Sequence, residues 1–198
     1  ENPKLPEVII VGIENGGEKR SDELVPYKFS FTNEGDPEYI DNIFGGKTDD
    51  YLSFIINTVK PYIDKQYRTY KSAKNTAIMG SSFGGVCSAY AAVEYGEYFS
   101  RFGCVSNAWY VIQEKMKQVV SKADLSHVKK FYMDVGDAED STVIESQRLI
   151  DSNNEIFEIL KEKIEFKKLK YVIAEGAVHN ENAWRERFAD IITFLFND

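Results

Sequence analysis

Cysteine and histidine are scarce in this chain of 198 residues, which has two of each. Two cysteines cannot supply the disulfide framework of a small secreted domain, and Cys87 and Cys104 both lie in apolar stretches, as buried free thiols do. Such usage favours a reducing compartment, so a cytoplasmic location is the expectation, with secretion as the alternative. Scattered as they are at positions 87, 104, 127 and 179, the same four residues lack the short ligand spacing of a zinc site, and neither a metal nor any other cofactor is expected. Long apolar runs are missing too; nothing approaches the length that spans a bilayer, and no membrane partner is expected. Basic residues are outnumbered, 24 Lys and Arg against 32 Asp and Glu, for a formal net charge of −8. That balance argues against nucleic acid as a partner, because affinity for a phosphate backbone comes from Lys and Arg releasing condensed counterions. Internal repeats, low-complexity tracts and interdomain linkers are absent as well, so the length reads as one domain with a core of its own.

What the chain does have is apolar material, 43% of its residues, arranged in short runs and periodic stretches. Residues 7–13 are nearly continuous Val and Ile, the pattern of a strand covered on both faces. Further β-branched or aromatic runs fall at residues 76–80, 102–106, 130–135 and 169–174. Residues 50–67, 84–95, 109–120, 143–164 and 182–196 carry apolar side chains three and four apart and read as helices. In the last of these Trp184, Phe188, Ile191 and Leu195 form one stripe, which predicts docking on the sheet with Trp184 in the core. Strands alternating with helices predict an α/β fold, a mostly parallel sheet with helices on both faces. Residues 14–48 break the pattern, with five glycines, two prolines and no sustained period. A loop of that length is expected to serve as a lid or substrate wall, with disorder as the alternative. The Lys-rich run at 161–170 reads as a solvated helix face and turn.

Gly80-Ser81-Ser82-Phe83-Gly84-Gly85 holds G-x-S-x-G centred on Ser82, after a predicted strand and before a predicted helix. A nucleophile elbow needs that context, because the serine sits in a strained turn and neighbouring glycines let strand and helix approach without Cβ clashes. The turn lifts the hydroxyl out of the sheet. It also sets the Phe83 N–H at a helix start, where an unpaired donor and the positive dipole end stabilise an oxyanion. A Gly-rich turn that binds an anion is the plainer alternative. A dinucleotide fingerprint is excluded, since G-x-G-x-x-G does not occur.

Serine is a weak nucleophile until a base takes its proton, and histidine is the usual base near neutral pH. Where the chain order is Ser, acid, His, the base follows both partners. His179 meets that order, in Glu175-Gly176-Ala177-Val178-His179-Asn180 just past the last predicted strand, whereas His127 precedes the candidate acids and reads as a loop or surface residue. The acid must hold the imidazole from a loop position just past a strand. Asp134, Asp137, Glu139 and Asp140 cluster there, with Asp134 still inside the strand. Glu139 is preferred, 57 residues after Ser82 and 40 before His179, then Asp137 and Asp140. The remaining acids are expected to cap the following helix at Ser141.

These residues resemble the putative esterase family of α/β-hydrolases, which includes esterase D, enterochelin-esterase-like hydrolases and feruloyl or acetyl-xylan esterases. The resemblance runs over nearly the whole chain: Val8-Ile9-Ile10-Val11-Gly12-Ile13; Arg20 with Glu23, Leu24 and Pro26; Pro61-Tyr62-Ile63-Asp64 with Tyr67-Arg68-Thr69; the Ser82 motif; Ser106 with Trp109; Gly136 with Glu139; and His179 with Trp184. It implies an α/β-hydrolase fold and puts the acid on Glu139, because in that family the acid follows a glycine by three positions. Two departures stand out. Family members usually carry Ser-Pro ahead of the tryptophan, whereas this chain has Ser106-Asn107-Ala108-Trp109, so the pocket wall is expected to differ. The resemblance also implies strands ahead of residues 7–13, and a further strand whose loop supplies a second oxyanion N–H, that nothing in this sequence matches. Residues 1–198 are therefore read as a single α/β-hydrolase domain, N-terminally incomplete.

The expected function is hydrolysis of a small-molecule or carbohydrate ester through an acyl-enzyme on Ser82, with His179 as base, Glu139 orienting it and Phe83 N–H in the oxyanion hole. Arg20 is a candidate for orienting an anionic or polyhydroxylated substrate, its alternative being a structural pairing with Glu23 or a nearby carboxylate. Trp109 is a candidate pocket wall, its alternative being plain packing. A non-catalytic binding protein that keeps the fold, and an acyltransferase to a sugar or alcohol, are the competing functions.

Overall fold

Residues 5–30, 43–140 and 142–197 are described by the structure, a computed structural model. Ahead of the sheet lie three short helices, α1 (Arg20–Leu24), α2 (Thr48–Phe54) and α3 (Lys60–Gln66). The last two form one rod, as the spacing over 50–67 predicts, joined by a π-helical turn at Ile55–Val59 in which Lys60 N–H reaches back to Ile55 C=O. Pro61, with no N–H to give and a ring that crowds the preceding turn, follows at once, and the extra residue absorbs that misfit.

The remaining elements alternate: β1 (Ala77–Ser81), α4 (Phe83–Glu94), β2 (Arg101–Val105), α5 (Gln113–Lys122), β3 (Lys130–Gly136), α6 (Val143–Lys161), β4 (Leu169–Ala174) and α7 (Glu181–Phe196). All pairings are parallel and the spatial order is the chain order, β1-β2-β3-β4. Successive right-handed crossovers in one direction put α4, α5 and α6 on one face. There Phe102, Cys104, Phe131 and Met133 meet Val86, Met116 and Ile156 in the main core. Val105 and Tyr132, which alternate to the other face, meet Ile191 and Leu195 of α7. Both cysteines are buried free thiols, and burial pushes the Cys87 thiol up to about 12.

Four of the five predicted strands are present, but residues 7–13 form no strand. Ile10 is 63% exposed, and Ile9 and Val11 beside it are exposed too. An apolar run becomes a strand only where another backbone accepts its hydrogen bonds, and among the described residues β1 pairs with β2 alone. The segment 14–48 is likewise not one unbroken loop. It contains a 3-10 turn at Gly17–Lys19, α1, and an antiparallel bridge between Phe29 and Phe44. Leu24, Val25 and Phe29 are buried beside Leu52 and Phe83, and this small apolar cluster anchors a stretch whose composition hid it. Residues 31–42, the middle of the expected lid, lie outside the described residues.

Two boundaries also moved. Trp109 stands in a 3-10 turn, Trp109–Val111, and α5 begins only at Gln113. The cap of α6 is Thr142, whose hydroxyl accepts from Glu145 N–H, so the acids before it are not the cap; Ser141 lies outside the described residues. Asn153 of α6 is a polar centre of the core, fully buried. Its Oδ1 accepts from Trp109 Nε1 at 2.8 Å, and its Nδ2 donates to Asn107 C=O at 3.0 Å and to Leu149 C=O at 2.9 Å. Replacing it by Ala orphans the buried indole N–H, and Asn153→Ala is expected to lower stability by about 2–4 kcal/mol in urea unfolding at unchanged m-value. A midpoint equal to wild type would show that the core repairs these contacts.

Candidate active site

Parallel strands end together, so the loops after β1, β2, β3 and β4 share one edge of the sheet. At the first of them Ser82 adopts φ 57° and ψ −121°, a strained backbone for a residue with a Cβ. Two close approaches hold it there. A Cβ on Gly80 would lie 2.6 Å from the Gly84 carbonyl group, and one on Gly85 would lie 2.1 Å from Asn107 Oδ1. Gly84 itself has open space beside it, so its importance is the backbone it presents to Gly80. Ser82 N–H donates to Val105 C=O at 2.8 Å, tying the turn to the end of β2.

The Ser82 hydroxyl does not cap α4 and has no hydrogen-bond partner among the described residues; it is not bonded to His179. Gly85 and Val86 N–H both turn back to Ser82 C=O, while the Phe83 N–H, at the first position of the helix, has no intrahelical acceptor. Among the described residues it is a free donor at the positive end of α4. Arg20 of α1 stands over the Phe83 ring, its Cζ 5.3 Å from the centroid. Among the described residues it makes no ion pair with Glu23, which instead accepts from Gly16 N–H at 2.7 Å. Burial lowers the Arg20 pKa, and the carboxylate of Glu181, two residues beyond His179, acts in the opposite sense.

Across the same edge, His179 Nδ1 is bonded to Glu139 Oε2. Glu139 is buried, and its Oε1 accepts from the Ser106 hydroxyl at 2.6 Å and from Gly136 N–H. Burial alone would raise the Glu139 pKa; the bonds from His179, Ser106 and Gly136 outweigh it and hold the carboxyl below its ordinary value. The other candidate acids are engaged elsewhere. Asp137 Oδ1 accepts from Gly176 N–H at 2.6 Å, shaping the turn that leads to His179, and Asp140 N–H donates to Ser146 Oγ at 3.0 Å in the first turn of α6. Both loops are tightly apposed, for a Cβ on Gly136 would lie 2.0 Å from Ala177 C=O.

His127 precedes β3 and so stands at the amino edge, opposite Ser82. It is half-buried rather than at the surface, with its ring against Gly96 and Phe102, and burial lowers its pKa. Trp109 is fully buried with its indole spent on Asn153, so it packs the core and does not line a pocket. Trp184 packs against the smaller core cluster, as expected, and also reaches the site. Its indole N–H donates to Ser106 Oγ at 2.9 Å and its ring meets His179 edge-on at 5.1 Å, which makes it a neighbour of the site. Three members of the constellation, Ser106, Asp134 and Arg187, were given no role at the site by the sequence, although Ser106 is among the residues that carry the family resemblance. Asp134 is fully buried in β3, and Arg187, one turn beyond Trp184 on α7, donates to it through Nε at 2.9 Å and Nη2 at 3.2 Å. A helical offset of three, which puts Arg187 on the same face of α7 as Trp184, is the one signal that could have drawn attention to any of them. Among the described residues no three His, Cys, Asp or Glu side chains group as metal ligands, and no helix is long and apolar enough to cross a membrane.

A family profile described as Putative esterase matches residues 1–195. An uncharacterized Bacillus subtilis protein, YbbA, is 26% identical over 200 residues, spanning 99% of this chain and 76% of that protein. An IroE-like serine hydrolase from Shewanella oneidensis superposes with a TM-score of 0.72 at 20% identity, over 98% of this chain and 61% of that one. The enterobactin esterase FES from Shigella flexneri gives 0.60 at 18% identity, over 74% of this chain and 37% of that one. At such identities the structural likeness speaks for the α/β-hydrolase fold alone, and the family rests on the profile. Matched by it over residues 1–195, the chain belongs to the Putative esterase family.

Proposed function

We propose that this member of the esterase family is a serine esterase, hydrolysing a carboxylic ester through an acyl-enzyme on Ser82. The observation that carries the reading is the strained Ser82 turn, at the same edge of the sheet as the bonded side chains of Glu139 and His179. Its hydroxyl is free of structural duty.

In this reading Ser82 Oγ attacks the carbonyl carbon while His179 Nε2 takes its proton. The Phe83 N–H and the N-terminal end of α4 stabilise the oxyanion that forms. Collapse of the tetrahedral species breaks the bond to the alcohol oxygen, which leaves with the proton from His179. Water then attacks the acyl-enzyme, giving a proton to His179; the bond to Ser82 breaks, Ser82 recovers that proton, and the carboxylic acid departs. Glu139, ionised, holds the Nδ1–H of His179 and stabilises the ring while it is charged. Arg20 supports an anionic or polyhydroxylated substrate, because its guanidinium stands over Phe83 with no carboxylate bonded to it among the described residues. The names of the Shigella flexneri and Shewanella oneidensis proteins, an enterobactin esterase and a serine hydrolase, support a small ester and a serine nucleophile.

Ser82→Ala is expected to abolish labelling by a fluorophosphonate probe and to lower p-nitrophenyl acetate hydrolysis by about a thousandfold or more, at unchanged thermal midpoint. Folded wild-type protein that takes up no label would overturn the reading in favour of a non-catalytic binding protein. A second expectation concerns acid. Because its folded pKa lies below the unfolded value of 4.5, ionised Glu139 contributes stability that is fully present above that pH and lost as pH falls through the folded value. The stability gap between wild type and Glu139→Gln, read by urea unfolding, should therefore close on acidification below about 4.5. A gap that stays constant would show that the carboxylate's bonds are not held in solution.

A further inference from the structure

Ser106 has no part in the chemistry just described, yet its hydroxyl is the atom on which three side chains converge. A hydroxyl has one proton to give and two lone pairs to fill. Both lone pairs here meet groups that can only donate, Trp184 Nε1–H at 2.9 Å and Arg187 Nη2–H at 3.2 Å. One partner is left for the proton, Glu139 Oε1 at 2.6 Å. That oxygen accepts it while also accepting from Gly136 N–H, a double load that the ionised carboxylate carries more strongly than the neutral acid. Every bond in the network then has a single direction. With Oε1 occupied by two donors, Oε2 is the oxygen left for His179, the ring proton is held on Nδ1, and Nε2 is left as the acceptor the reaction needs.

The junction is costly to build, and packing does not account for it. Ser106 is fully buried with φ 44°, in the left-handed region where glycine would be unstrained. Its amide is held by Asp134 Oδ1 at 2.8 Å, and the same carboxylate takes the Tyr132 hydroxyl at 2.9 Å and both contacts from Arg187. We propose that Ser106 is a positioning residue which, aimed by Trp184 and Arg187, keeps Glu139 ionised and turned toward His179. The inference rests on the serine-esterase reading. The titratable and charged groups around Glu139 are His179 from the loop after β4, Arg187 from α7, Asp134 and Tyr132 from β3, and Asp137 and Asp140 on its own loop.

Two variants of the full chain test it, with Ser82→Ala as control. Ser106→Gly removes the hydroxyl at a backbone geometry glycine prefers, and Trp184→Phe keeps an aromatic edge against His179 without the N–H. Each is assayed for kcat and KM on p-nitrophenyl acetate across pH, alongside its thermal midpoint. Ser106→Gly is expected to lower kcat by about 10- to 100-fold, with KM within about twofold of wild type. It should also move the acidic limb of kcat/KM to higher pH, since a carboxylate with one donor fewer holds the shared proton more tightly. Trp184→Phe should shift the limb in the same direction by less. A fall in kcat with an unmoved acidic limb means a merely structural role and overturns the inference, as does unchanged kinetics in both variants; the esterase reading survives either result if Ser82→Ala is inactive. If Ser106→Gly does not fold, Trp184→Phe decides, and an unmoved limb there is a failure. Full activity in Ser82→Ala would instead sink the reading on which the inference stands.

Discussion

A buried charge sets the terms for the rest of this molecule. Asp134 lies in the middle of the sheet with no exposed surface, and an uncompensated carboxylate there would cost several kcal/mol. It is compensated by Ser106 N–H beyond β2, by Tyr132 on its own strand, and by two contacts from Arg187 of α7. Burial works against the Arg187 charge, but the bonds and field of Asp134 win, and the guanidinium pKa ends raised. The pair therefore fixes α7 against the sheet at one height. Trp184 and the loop carrying His179 belong to the same stretch of chain, so that height is also the level of the site.

The second constraint is steric. The carbonyl of Gly84 approaches so near Gly80 that no side chain fits between them, and the turn that joins β1 to α4 is pressed into a conformation that Ser82 adopts only under compulsion. Compression and compensation meet at the end of β2. Ser82 N–H is bonded to Val105 C=O, and the next residue, Ser106, is the one held by Asp134. A nucleophile candidate and the junction beneath the acid are thus supported by adjacent residues of one strand end, and a disturbance of either reaches the other within a single peptide unit.

Much of this was legible in the linear order. Short apolar runs and 3.6-residue periods located four strands and the helices between them within a few residues, because burial on a parallel sheet imposes those periods directly. The G-x-S-x-G motif and the order Ser, acid, His drew attention to Ser82, Glu139 and His179, and among the three candidate acids Glu139 is the one that touches the imidazole. The failures have a common cause. Residues 7–13 have the composition of a strand but no partner backbone among the described residues, Trp109, the candidate pocket wall, is spent in the core, and Trp184, which packs on the core as expected, also borders the site. Composition records what a side chain can bury. It is silent on which neighbour arrives to meet it.

By itself, then, the sequence determined the class of fold, the alternation of its elements and the residues whose chemistry demands a special setting, since each of these follows from local period, local sterics or chain order. Only the tertiary structure decided that Ser106, Asp134 and Arg187 stand behind Glu139, that His127 is at the wrong edge, and that residues 24–29 are pinned by their own buried apolar side chains. Hydrogen-bond direction and burial depend on atoms brought together from positions 28 to 81 residues apart, and no local pattern encodes such a meeting.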